Sequence, residues 1–111
     1  MQTKAVITAL AALAQESRLA VFRLLVQVGP AGMAASKIAE DLGVPPSSLS
    51  FHLKELSYAD LIQSRQEGRF VIYSANITSM NSLLGFLTEN CCGGNPCVAS
   101  PAANCCDAER V

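Results

Sequence analysis

All five cysteines of this chain lie within its last 21 residues, and the first 90 residues contain none. Cys91 and Cys92 are adjacent, Cys97 follows a Gly-Gly-Asn-Pro segment, and Cys105 and Cys106 form a second adjacent pair. Free cysteine usually packs in a protein core as a small apolar side chain. Thiols crowded into a stretch rich in glycine, proline and asparagine have no core to fill. The pattern therefore indicates that the thiols are either ligands for a soft ion or redox-active groups.

Three close thiols suit As(III), and Sb(III) in the same way. These ions prefer thiolates and keep a lone pair, so they take three ligands in a pyramid. The segment before Cys97 is short, so bringing its thiol back toward Cys91 and Cys92 costs little loop-closure entropy. We predict that Cys91, Cys92 and Cys97 hold the ion. Cys105 and Cys106 are either a second dithiol site or have no role.

Other uses of these thiols stay open. Structural zinc takes four ligands, usually in spaced Cys-x-x-Cys pairs. The adjacent pairs do not have that spacing, although a four-thiol site for zinc or cadmium could include Cys105 or Cys106. Oxidation of the neighbouring thiols would instead make a redox sensor. An enzyme is not expected, because the chain has no Cys-x-x-Cys, no nucleotide-binding loop and only one histidine. No organic cofactor is expected either.

The composition indicates one globular domain. The chain has 111 residues, half of them apolar, which suits a single modest core. No apolar run approaches the roughly 18 to 20 residues of a membrane span, and the first residues lack the pattern of a secretory signal. We therefore expect no membrane partner and a cytoplasmic location, where thiols stay reduced. The net charge of −1 gives no support for nucleic-acid binding, which needs a motif.

Apolar periodicity predicts five helices and one hairpin. Ser17 is the expected N-cap of the second helix, in which Leu19, Phe22 and Val26 would form the buried stripe. The first helix is apolar nearly all round and needs burial on several sides. The first three predicted helices are 4–14, 18–27 and a short one around 38–42. The fourth is opened by Pro46 and contains Leu49, Leu53 and Leu56, and the fifth is 78–90. The predicted strands are 61–65 and 70–74, joined through 66–69. This order is that of a winged helix, a mainly α fold with a small β-hairpin (α+β).

In this arrangement the chain resembles the ArsR/SmtB family of ion-responsive transcriptional repressors over residues 4 to 97. The most specific part is a Ser-x-His-Leu-x-x-Leu run followed by an acidic-Gly-Arg turn in the hairpin. The residues that carry the resemblance are 17–19 with 22–25, 38–43, 49–56, 59–62 and 65–69. The resemblance implies a homodimer built from the first and last helices. It also implies that the fourth helix enters the major groove of a palindromic double-stranded operator, and that ion binding releases the DNA.

The sequence departs from two common arrangements of the family. Many members carry metal-binding cysteines in the stretch equivalent to residues 39–44, which here has none, and others use His and carboxylates of the last helix. In this chain that helix has no His, and Glu89 is its single carboxylate. The segment 87–92 resembles arsenic-responsive members whose thiols follow the last helix. The chain thus divides into a DNA-binding and dimerisation domain, 1–90, and an ion-binding tail, 91–111.

Polar and basic residues on the fourth helix and the hairpin are the candidate DNA contacts. Small hydroxyls reach base edges and phosphates without blocking approach, and basic side chains on these elements suit phosphates or the minor groove. Phe51, exposed by its period, contacts either a thymine methyl or a neighbouring side chain. The candidates are Lys37, Ser47, Ser48, Ser50, His52, Lys54, Arg65 and Arg69.

Overall fold

The structure is a computed structural model and describes residues 2–90. Five helices and three short strands form a winged helix, which confirms the predicted fold class. The elements are α1 (Thr3–Leu13), α2 (Glu16–Val28), β1 (Met33–Ala34), α3 (Ala35–Leu42), α4 (Pro46–Tyr58), β2 (Ile62–Glu67), β3 (Phe70–Ala75) and α5 (Ile77–Leu87). Within residues 2–90 no single helix is long and apolar enough to cross a membrane; α1 and α2 pass that test only as a pair bent by 102°.

Helix α2 begins earlier than predicted and buries a different stripe. Its N-cap is Gln15 and not Ser17, because the Gln15 side chain accepts a 2.9 Å hydrogen bond from the backbone N–H of Arg18. The buried residues are Val21, Phe22 and Leu25. Leu19 is 43% exposed, so its predicted burial is wrong. At about 100° of rotation per residue, Leu19 lies well to the side of this stripe.

Helices α3 and α4 are positioned by the residues that the sequence indicated. Gly43 ends α3 in the left-handed conformation, with φ of 64°, as expected for glycine at this place. Pro46 is the first residue of α4. Leu49, Leu53 and Leu56 are each at most 3% exposed. They anchor α4 in a core shared with α2 and α3, which leaves the opposite side of the helix facing outward.

The sheet has one strand more than predicted, and its order is β1-β3-β2. β1 pairs Met33 with Tyr73 and Ala34 with Ile72. The backbone at Gly32 enters this pairing so closely that a Cβ there would lie 2.6 Å from the Tyr73 carbonyl oxygen. Its φ of 71° also disfavours other residues. A glycine is therefore required directly before β1.

The hairpin turn is tighter than predicted, and α5 is shorter. Glu67 pairs with Phe70, so only Gly68 and Arg69 form the turn, with Gly68 at a φ of 62°. Helix α5 ends at Leu87, before the predicted residue 90. The expected stop at Gly93-Gly94 lies outside the described residues.

Candidate nucleic-acid interface

The outer side of α4 presents small hydroxyls and one basic group. Ser47, Ser48, Ser50 and Lys54 are all exposed. Within residues 2–90 none of these four side chains makes a hydrogen bond or an ion pair. Ser47 and Lys54 lie two turns apart on the same face. Their polar atoms are therefore available to a partner outside the chain.

His52 and Phe51 lie next to each other on α4 but in different surroundings. The Nδ1 atom of His52 is buried and has no hydrogen-bond partner, so this side of the ring faces the protein. Phe51 is 56% exposed. The two rings meet edge to face, with centroids 6.0 Å apart and an interplanar angle of 61°. His52 thus supports the Phe51 ring from one side.

Lys37, at the start of α3, is already paired within its own helix. Its ammonium lies 3.2 Å from the Asp41 carboxylate and 3.6 Å from that of Glu40. The hydrogen bond to Asp41, and then the negative charges of Asp41 and Glu40, raise the pKa of Lys37 above its ordinary value. Two carboxylates next to one ammonium give this surface a net negative charge. Phosphate contact at Lys37 remains a prediction, and this setting disfavours it.

Arg65, on β2, is held by bonds inside the domain. Its guanidinium donates hydrogen bonds to the carbonyl oxygens of Pro30 at 3.1 Å and Ala31 at 2.6 Å, and it is paired with Glu67. These bonds tie the middle of β2 to the loop after α2. Arg65 therefore connects the wing, which is the hairpin of β2 and β3, to the rest of the domain in this structure. Its predicted contact with DNA is not tested.

Arg69 is the basic residue at the tip of the wing. It is exposed, and within the described residues its side chain makes no ion pair or hydrogen bond. Phe70 beside it is 59% exposed. Of the two arginines predicted on the hairpin, Arg69 is the one whose guanidinium is available.

The turn after α4 is joined to the start of α5 by a polar network that was not predicted from the sequence. Asp60 has a positive φ of 63°. Its carboxylate accepts a 3.2 Å hydrogen bond from the Ser79 hydroxyl, and its carbonyl accepts a 3.1 Å bond from the Asn76 amide. Asn76 also caps α5 by accepting from the Ser79 N–H. An asparagine directly before the apolar run was the available signal for this cap.

Helices α1 and α5 are in contact, and both expose apolar side chains, which are here called the apolar face. Its residues are Ile7, Leu10, Leu84 and Leu87, which are 61%, 41%, 52% and 54% exposed. Helix α5 carries no charged side chain. Exposed apolar groups that cluster on neighbouring helices are typical of interaction sites.

The predicted ion ligands Cys91, Cys92 and Cys97, and the further Cys105 and Cys106, lie outside the described residues. Among residues 2–90 there is no group of three His, Cys, Asp or Glu side chains placed to hold a metal ion. The prediction that 91–111 is an ion-binding tail is likewise untested.

Comparison with known proteins gives a consistent assignment. A helix-turn-helix domain model matches residues 13–65. The transcriptional repressor SdpR of Bacillus subtilis is 36% identical over an alignment of 61 residues, and the match covers 51% of this chain and 68% of SdpR.

Among solved structures, an ArsR-like transcriptional regulator from Rhodococcus sp. RHA1 is 28% identical with a TM-score of 0.68, covering 76% of each chain. A homodimeric winged helix-turn-helix DNA-binding domain, Mb0332 of Mycobacterium bovis, described as a possible ArsR-family regulator, is 26% identical with a TM-score of 0.62. That match covers 78% of this chain and 81% of Mb0332. These relatives are regulators of transcription and not enzymes, in agreement with the expectation from the motifs. The chain belongs to the ArsR/SmtB family of DNA-binding winged helix-turn-helix transcriptional regulators.

Proposed function

We propose that this protein is a homodimeric, cytoplasmic repressor that binds a double-stranded operator and leaves it when As(III) or Sb(III) binds its C-terminal thiolates. The observation that carries the DNA-binding part is the outer side of α4, where serine hydroxyls and Lys54 have no partner within residues 2–90. A recognition helix in the major groove needs small polar groups of this kind at its N-terminal half. Arg69 at the wing tip supplies a further basic contact.

The apolar face supports the homodimer. Ile7 and Leu84 are more than half exposed on two adjacent helices, and a second copy of the chain would cover them. The homodimeric state of the Mb0332 domain is in line with this arrangement. A dimer places two copies of α4 for the two halves of a palindromic operator.

The effector assignment rests on the chemistry of the thiols and on their place in the sequence. Cys91 follows the end of α5 at Leu87 by four residues. Trivalent arsenic and antimony prefer sulfur ligands, and the sequence supplies three thiols within seven residues. Cys91, Cys92 and Cys97 are the proposed ligands.

Helix α5 offers a physical connection between the tail and the DNA-binding helix. One end of α5 precedes the cysteines, and the other end is bonded through Asn76 and Ser79 to Asp60, directly after α4. A shift of α5 on ion binding would change the placement of α4 in the dimer. Couplings between two sites of this kind are typically about 1–3 kcal/mol, so we expect roughly a 5- to 150-fold loss of operator affinity.

The test is operator release by two matched double variants. Cys91→Ser with Cys92→Ser removes two proposed ligands, while Cys105→Ser with Cys106→Ser removes the same number of thiols further along the tail. Fluorescence anisotropy of labelled operator DNA should show that arsenite releases the wild type and the second variant but not the first. Normal release of the first variant by arsenite would refute the ligand assignment.

The same assay separates the two alternative effectors. Zinc or cadmium that releases the reduced protein, with arsenite inactive, would assign the thiols to a borderline metal. Release by peroxide in metal-free buffer, reversed by a thiol reductant, would assign them to redox sensing. In both cases the DNA-binding function stands and the arsenic assignment fails.

A further inference from the structure

Phe51 is an exposed aromatic side chain in the part of α4 that faces outward. It is the sixth residue of the helix, and more than half of its surface is exposed. Ser47, Phe51 and Lys54 fall within about 60° of one another around the helix axis, since each residue turns the helix by about 100°. Tyr58, the other exposed aromatic residue of α4, lies beside α1 in a groove lined by Ile7 and Thr8. Phe51 is thus surrounded by the polar groups proposed to contact DNA.

The Phe51 ring is supported in its exposed position. The ring lies edge to face with His52, and the buried Nδ1 of His52 shows that this partner is itself set against the protein. Phenylalanine has only two side-chain torsions, so ordering it on binding costs little entropy. The ring can therefore act as a fixed apolar contact.

The major groove offers few apolar groups that such a ring can touch. Base edges there present hydrogen-bond donors and acceptors, and the C5 methyl group of thymine is the apolar exception. Serine hydroxyls and the Lys54 ammonium match the polar groups, whereas a phenyl ring matches only a methyl group. Residues in the N-terminal half of a recognition helix are those that reach base edges.

We propose that Phe51 is a specificity-determining residue that reads a thymine methyl group in each half of the operator. This inference rests on the proposed DNA-binding function. Burial of one methyl group against the ring should stabilise the complex about as much as burial of a single CH₂ group does. This corresponds to an increase of about fourfold in DNA affinity. Phe51 thereby favours thymine over cytosine at one position of each half-site, without any hydrogen bond.

The experiment removes single methyl groups from the DNA. Operator duplexes in which each thymine in turn is replaced by deoxyuracil differ from the parent by one C5 methyl group. Binding by the wild-type dimer, measured by fluorescence anisotropy at one fixed salt concentration, should weaken about fourfold at one thymine of each half-site. Placing 5-methylcytosine instead of cytosine at that position should strengthen binding by a similar factor.

Two variants connect this effect to the ring. Phe51→Ala should bind the parent and the deoxyuracil duplexes equally. Phe70→Ala removes a similarly exposed phenylalanine from the wing, 59% exposed, and should keep the full methyl dependence. Circular dichroism melts verify that both variants fold, and the deoxyuracil scan of the wild type needs no variant at all.

The outcomes separate this inference from the proposed function. Specific binding of the wild type with no deoxyuracil-sensitive position would overturn the role of Phe51, and so would Phe51→Ala that keeps the wild-type sensitivity. Absence of specific binding to any upstream duplex would instead contradict the DNA-binding proposal, and the role of Phe51 with it.

Discussion

Helices α4 and α5 both leave large side chains on the surface, but the chemistry of the two surfaces differs. The outer side of α4 combines serine hydroxyls and Lys54 with a single supported ring, Phe51. Helix α5 has no charged residue and exposes Leu84 and Leu87. The first surface suits a polyanion with hydrogen-bonding edges, and the second suits another apolar surface. This contrast is the basis for proposing that the two helices face different partners, α4 the DNA and α5 a second copy of the chain.

The largest effect is expected from charges placed on the apolar face. Leu84→Asp with Leu87→Asp should separate the dimer, because two carboxylates of each subunit would have to be buried at the interface. A monomer holds only one half-site, and the loss of simultaneous binding typically lowers affinity by 10²–10⁴. Sedimentation velocity and operator anisotropy would measure the two effects together.

Leu19→Asp is the matched control for this variant. Leu19 is 43% exposed on α2, outside the apolar face, so the substitution should leave a dimer with wild-type operator affinity. A Leu84/Leu87 variant that remains dimeric would show that the two surfaces have been assigned incorrectly.

A smaller effect should distinguish the two lysines on either side of the turn between α3 and α4. Lys54→Ala should weaken binding to all sequences alike and reduce the slope of log affinity against log salt by about one per subunit. Lys37→Ala should change the slope little, because Asp41 and Glu40 already neutralise that ammonium. Titrations at several salt concentrations measure both slopes. Equal slopes for the two variants would contradict the difference in pairing.

The smallest effect concerns the arginines of the hairpin. Arg65→Ala removes hydrogen bonds to the Pro30 and Ala31 carbonyls, but the side chain is 42% exposed, so we expect a loss of only about 1 kcal/mol in unfolding free energy. Arg69→Ala should leave stability unchanged and lower operator affinity. Urea unfolding at equal protomer concentration tests the first statement. A greater destabilisation by Arg69→Ala than by Arg65→Ala would contradict it.

Much of the fold follows from periodicity in the sequence. Leu49, Leu53 and Leu56 repeat at helical spacing and are buried as predicted, and Pro46 and Gly43 mark helix boundaries because of their backbone preferences. β1 was missed because two residues carry no alternation; it exists because β3 offers an edge to Met33 and Ala34. The burial of Leu19 was wrong because two adjacent faces of α2 are both apolar, and only tertiary packing selects one.

The candidate site was predictable to a smaller extent. The pairing of Lys37 with Glu40 and Asp41 is visible in their spacing of three and four residues. The bonds of Arg65 are not, because their acceptors lie 34 and 35 residues away along the chain. A sequence does not show whether a polar or charged side chain has a partner within the domain. Only the structure shows that Lys37 and Arg65 are paired, whereas Lys54 and Arg69 have no partner within residues 2–90.

The most direct test of the central claim is a titration of the reduced wild-type protein on labelled DNA from the gene's own upstream region. Fluorescence anisotropy should first rise as the dimer binds and then fall on addition of arsenite, with release complete near one ion per subunit and no release by zinc. Stable binding that ignores arsenite would keep the DNA-binding regulator and remove As(III) as its effector.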